Sequence, residues 1–87
     1  MRNTPDEPEV WLAVEVSATV DESDIERAAR RARSLRKAGF IAVPVGAGEG
    51  MAVGAEELAR IEKVALICDG RVGLWDEALE EWVRSRG

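Results

Sequence analysis

The spacing of apolar positions changes several times along the chain, and each change marks an element. From Val10 to Val16 the run Val-Trp-Leu-Ala-Val-Glu-Val is apolar on both alternating faces until Glu15, the pattern of a strand buried on both sides. Ile25, Ala28, Ala29, Ala32 and Leu35 then recur at helical spacing, which predicts an amphipathic helix reaching Ala38. Asp21 or Ser23 serves as its N-cap, with Ser23 and Glu26 at capping-box spacing, and Gly39 ends it at the C′ position. Residues 40–45 are a second apolar run of strand length, in which Pro44 implies a ladder position that does not donate. The glycine-rich stretch 46–54 reads as a flexible connection, followed by a helix from about Ala55 to Glu62.

The run 63–68 is a third strand, and Asp69-Gly70 carries the signature of a tight hairpin turn into a short fourth strand at 71–73. Trp75, Ala78, Leu79, Trp82 and Val83 share one helical face, predicting a closing helix docked by two tryptophans. The order β-α-β-α-β-(β)-α, with strands and helices alternating, implies an α/β domain with a mainly parallel sheet and right-handed crossovers. Residues 9–87 form that single domain. Residues 1–8, with Pro5 and Pro8 among polar side chains, read as a frayed arm.

Composition narrows the classes of function. A chain of 87 residues holds one domain, and no apolar stretch approaches the ~20 residues of a membrane span. With neither a span nor a signal peptide in view, a cytoplasmic location is expected. The net charge of −5 argues against non-specific nucleic-acid or membrane binding as the main activity. One cysteine and no histidine argue against an intrachain disulfide and a structural zinc site, and rule out Cys–His or Ser–His–Asp catalysis within the chain. Any metal is then held by oxygen.

Ligands of open parallel sheets gather at the carboxyl ends of the strands. Here that edge collects Glu15, Ser17, the loop after the second strand, and Asp69. Glu15 is the most informative, because a carboxylate within an otherwise apolar strand has to be paired, desolvated or metal-bound. Its ordinary explanation is a salt bridge to an arginine of the first helix. That helix carries Arg27, Arg30, Arg31, Arg33 and Lys37. They form either a phosphate-binding stripe or a solvated face with pairs such as Glu26 and Arg30. Gly46, Gly48 and Gly50 are spaced G-x-G-x-G, unlike a dinucleotide fingerprint. Cys68 reads as a small buried hydrophobe and the three tryptophans as core anchors.

The segment from Leu12 to Ala28, a strand ending in Glu15-Val16-Ser17 with a helix at once after it, resembles the central signature of the PD-(D/E)XK, restriction-endonuclease-like superfamily. There the strand ends in Glu-x-Lys. The likeness extends to the runs 38–45 and 64–70, similar to later strands of bacterial members. Active members bind Mg²⁺ through acidic residues and use the lysine to orient the attacking water. By position, Glu15 is implied as metal ligand and Ser17 stands where the lysine would be, removing its positive charge. Arg27 or Arg31 is the available replacement, and Asp69 or Asp6 the candidate second carboxylate. The superfamily core has a helix and two strands before this point, so the chain resembles the C-terminal part of that fold. The expectation is a catalytically degenerate module acting through homodimerisation or nucleic acid, with Arg27, Arg30 and Arg31 as nucleic-acid contacts. The alternatives are a Mg²⁺-dependent nuclease completed across a homodimer, and a protein-interaction domain using an exposed sheet edge. The expected dimer surface is an uncovered edge of the first strand or the face where the absent helix and strands would pack, with Trp11 as anchor.

Overall fold

The computed structural model describes residues 9–84; the predicted arm, with Pro5 and Asp6, lies outside the described residues. Strand β1 (Val10–Val16) leads through the two-residue β2 (Thr19–Val20) into helix α1 (Glu22–Lys37). Strand β3 (Ile41–Gly48), the two-residue β4 (Gly50–Met51), helix α2 (Ala55–Glu62), β5 (Ala65–Cys68) and β6 (Arg71–Gly73) follow. Helix α3 (Trp75–Leu79) closes the chain and widens into a π-helical turn at Glu80–Arg84. The main sheet has the order β1-β3-β5-β6, with β1, β3 and β5 parallel and β6 antiparallel. The predicted α/β class and mainly parallel sheet therefore hold. The small parallel pair β2–β4 is an addition to the predicted order.

Side-chain alternation assigns the two faces of this sheet. Gly46 points at Ile25 of α1 and lies level with Glu15 on β1 and Leu66 on β5, so these positions face α1. α1 and α2 touch one another, and Arg33 reaches Glu62 at 3.4 Å. Two successive crossovers of the same hand place both helices on one face. Val43, Val45 and Ala65 have the opposite parity and are fully buried. The α3 segment, in contact with β3 and β5, covers them.

α1 starts at Asp21, whose carboxylate accepts from Asp24 N–H at 2.9 Å while Asp24 accepts from Asp21 N–H at 3.0 Å. The N-cap is Asp21, the first of the two predicted candidates, and the capping box is Asp21–Asp24, two residues before the predicted Ser23–Glu26, because Asp21 is the residue with extended backbone. At the other end Phe40 N–H donates to Leu35 O and Gly39 N–H to Arg36 O, with Gly39 at φ 99°. These two bonds make a Schellman motif around the predicted C′ glycine.

The stretch 46–54 differs from the predicted flexible connection. Gly46 and Gly48 extend β3, and Gly50-Met51 pair with β2. A Cβ on Gly48 would lie 2.3 Å from Ser17 O, so this glycine serves close backbone approach. Pro44 sits on a central strand yet forfeits no ladder bond. Its backbone is directed toward β5, and pairing of β3 with β5 begins only at Val45, opposite Ala65.

Two expectations of burial are corrected. β1 is an edge strand rather than one buried on both sides, and only Ala13 in it is buried. Of the tryptophans, Trp82 alone is a core anchor, 4% exposed, its Nε1 donating to Lys63 O at 2.9 Å with the Arg36 guanidinium over its ring. Trp75 stands at the start of α3 and remains partly exposed, and Trp11, on the outer strand, is half exposed with its ring edge to face against Phe40. The third strand begins at Ala65, because Lys63 takes a left-handed backbone, φ 61°, to end α2. Asp69 and Gly70, at φ 52° and 76°, form the predicted hairpin turn.

Candidate functional site

β1 runs toward the start of α1, which returns antiparallel beside it, and this brings Glu15 under the first two turns of the helix. Arg27 Nε donates to Glu15 Oε1 at 3.2 Å, and Arg31 Nη1 lies 2.8 Å from Oε2. Arg31 approaches off the hydrogen-bonding direction, so the buried Oε2 accepts no hydrogen bond. Arg27 also reaches Asp24 Oδ1 at 2.8 Å. Glu15 is therefore clasped by two guanidiniums, the ordinary explanation for a carboxylate in this strand.

Asp24 is the hub that sequence reasoning passed over. It is buried at 4% exposure and accepts from the Asp21 amide and from Arg27. The amide bond from Asp21, more than any other influence, holds its carboxyl below the usual range, against the opposing effect of burial. Arg27 is in turn held more firmly protonated by its bond to Asp24. The available signal was the i,i+3 spacing Asp21–Asp24–Arg27, a cap followed by a cation one turn on.

The remaining predicted residues are dispersed. Ser17 donates its backbone N–H to Ala47 O. Asp69 lies in the hairpin turn after β5, its N–H bonded to Gly48 O. Glu15 and Asp69 are thus separated by the whole of β3, roughly 10 Å at ladder spacing, and do not converge on one cation. Among the described residues no group of three or more His, Cys, Asp or Glu is arranged to hold a metal ion. Glu26 and Arg30, expected as an i,i+4 pair, form no ion pair among the described residues. Arg30 stays exposed beside the Glu15 clasp.

Between β1 and α1 lies an open groove of about 810 Å³ lined by Ala13, Arg27, Arg30, Arg31, Ser34 and Leu35. On the other face of β1, Val10, Leu12, Val14 and Val16 are 45, 51, 38 and 77% exposed. Ser17 N–H donates inward to β3, so alternation directs the backbone groups of these four residues outward. Their amides, carbonyls and side chains form one continuous margin that no other element among the described residues covers. No helix among the described residues is long and apolar enough to cross a membrane. Compared with family models, curated proteins and solved structures, the chain matches none.

Proposed function

We propose that the chain is a non-catalytic assembly domain that joins a second copy of itself through β1. The observation that carries this reading is the uncovered margin of that strand. Val10, Leu12, Val14 and Val16 present apolar side chains and unpaired backbone groups together. Neither Lys nor Pro interrupts the strand as protection against edge pairing. A contiguous apolar strip on an open sheet edge is a binding surface by default.

The resemblance to the PD-(D/E)XK superfamily fits the same reading. Ser17 supplies no charge at the lysine position, Glu15 is occupied by Arg27 and Arg31, and Asp69 is too far away to share its cation. A Mg²⁺-dependent nuclease needs all three roles filled. The net charge of −5 also favours protein over nucleic acid.

Light scattering at about 100 μM chain tests the proposal, with Leu12→Asp as the control. A dimer is expected for the natural sequence and a folded monomer for the variant; a monomer in both overturns the reading. Incubation of the same samples with DNA in Mg²⁺ or Mn²⁺ is expected to give no cutting. Metal-dependent cleavage that disappears in Glu15→Ala would restore the nuclease reading.

A further inference from the structure

Charge is segregated around the groove beside β1. Every charged residue from Glu9 to Glu26 is acidic, and every one from Arg27 to Lys37 is basic. Glu9 and Glu15 of the β1 segment lie beside the arginines of α1, so a surface of this kind is complementary to itself when turned through a twofold axis. An isologous interface requires that property: what one copy offers, the other must accept.

Backbone direction limits how two β1 strands can meet. Only Val10, Leu12, Val14 and Val16 direct N–H and C=O groups outward, so an antiparallel pairing sets these residues opposite one another. Three registers satisfy this over most of the strand, with the axis at Leu12, at Ala13 or at Val14. With the axis at Ala13 the partner's Glu9 falls opposite Ser17, toward the acidic start of α1, and with it at Val14 opposite Thr19. With the axis at Leu12, the partner's Glu9 falls opposite Glu15, between Arg27 and Arg31, whose side chains are 45 and 64% exposed. In that register the partner's Trp11 lies beside Ala13, the small residue on the groove floor, within reach of Arg30 and Ser34.

We infer that β1 pairs antiparallel with β1 of a second copy about a twofold axis at Leu12, and that the partner's Trp11 and Glu9 complete the arginine groove. The inference rests on the assembly reading above and specifies its geometry. The two four-stranded sheets become one sheet of eight. Val10 then lies against the partner's Val14, and Leu12 against the partner's Leu12. Glu9 is exposed in the single chain and acquires its cation only in the pair. Arg31, whose contact with Glu15 Oε2 is no hydrogen bond, receives a second carboxylate.

Cross-linking of the full chain, with Cys68→Ser as background, reads the register directly. Paired residues on the axis come within the Cα separation a disulfide spans, about 4.4–6.8 Å. Leu12→Cys is therefore expected to give a disulfide-linked dimer under mild oxidation, and Val14→Cys, displaced from its own copy, is expected not to. In sedimentation equilibrium, Glu9→Lys is expected to weaken the dimer roughly tenfold. Glu9→Gln is expected to flatten its salt dependence. If Leu12→Asp abolishes the dimer but Leu12→Cys fails to cross-link, or Glu9→Lys has no effect, the Leu12-centred pairing is overturned while assembly through β1 survives. If the natural chain is monomeric, or Leu12→Asp leaves the dimer intact, the assembly reading falls and the pairing falls with it.

Discussion

Asp24 accepts from two partners, the Asp21 amide on one carboxylate oxygen and Arg27 on the other. Replacing it by Asn removes the charge that makes these bonds strong, so Asp24→Asn is expected to cost about 1–2 kcal/mol at pH 7 by urea denaturation. The pH dependence follows from the sign of the shift. Its carboxyl titrates lower in the folded chain than in the unfolded one, so its stabilisation is complete above the unfolded value, about pH 4. It is lost as pH falls through the folded value. The gap between natural chain and variant is therefore expected to narrow below about pH 4; a gap unchanged at pH 2.5 would show that the charge contributes nothing. Glycines offer a second contrast at this scale. Gly48→Ala forces a Cβ to 2.3 Å from Ser17 O, a backbone atom fixed by the β1–β3 ladder, whereas Gly73→Ala meets nothing within 4 Å. The first is expected to cost about 3 kcal/mol or more and the second less than about 0.5. The residues around Glu15 show how far sequence reaches here. A carboxylate in an apolar strand followed by an arginine-rich helix made the clasp foreseeable, and Arg27 and Arg31 fulfil it. Asp24 escaped notice because an acid near a helix start reads as a solvated first-turn residue, and only the position of β1 beside the helix buries it.

Elements with a strong period were legible, and those fixed by neighbours were not. α1 could be placed from Ile25, Ala28, Ala29, Ala32 and Leu35, which became its buried face apart from a partly covered Leu35. The hairpin at Asp69-Gly70 followed from turn chemistry alone. The path of 46–51 did not, because glycine reports permission and not direction. There the chain takes a strand conformation since Val20 and Ser17 crowd against it from β1 and β2. The burial of β1 was misjudged for a related reason: an apolar run on both faces is the same in a central strand and in an edge strand that awaits a partner. The α3 segment owes its placement to one side chain. Trp82 fills the space behind β3 and β5 and satisfies the carbonyl of Lys63, a residue held at φ 61°. Trp82→Phe keeps most of the apolar bulk but loses that donor, and is expected to destabilise by about 1–2 kcal/mol. Trp75→Phe, at a partly exposed position, is expected to change stability by less than about 0.5 kcal/mol. Equal losses in the two variants would contradict the assignment of Trp82 as the anchor.

At the scale of the molecule, assembly and folding are one equilibrium. A chain of 87 residues supports a small core, and much of the apolar surface of β1 lies outside it. If that surface is covered in a dimer, the transition measured by heating is dissociation together with unfolding, and the midpoint depends on concentration. Each tenfold increase in chain concentration adds about 1.4 kcal/mol per dimer, worth roughly 3–5 °C for a domain of this size. The natural chain is therefore expected to melt higher as concentration rises from about 5 to 500 μM. Leu12→Asp, which alters a side chain already half exposed, is expected to melt at a constant temperature equal to the dilute limit of the natural chain. Millimolar Mg²⁺ is expected to leave both curves where they are, because Glu15 meets Arg27 and Arg31 in the fold, and Asp24, bridged to it by Arg27, is already bonded to the Asp21 amide. A concentration-independent midpoint in the natural chain would mean that β1 remains bare. A Mg²⁺-dependent rise would mean that a cation displaces the guanidiniums from Glu15, returning the strand end to the metal chemistry its sequence resembles.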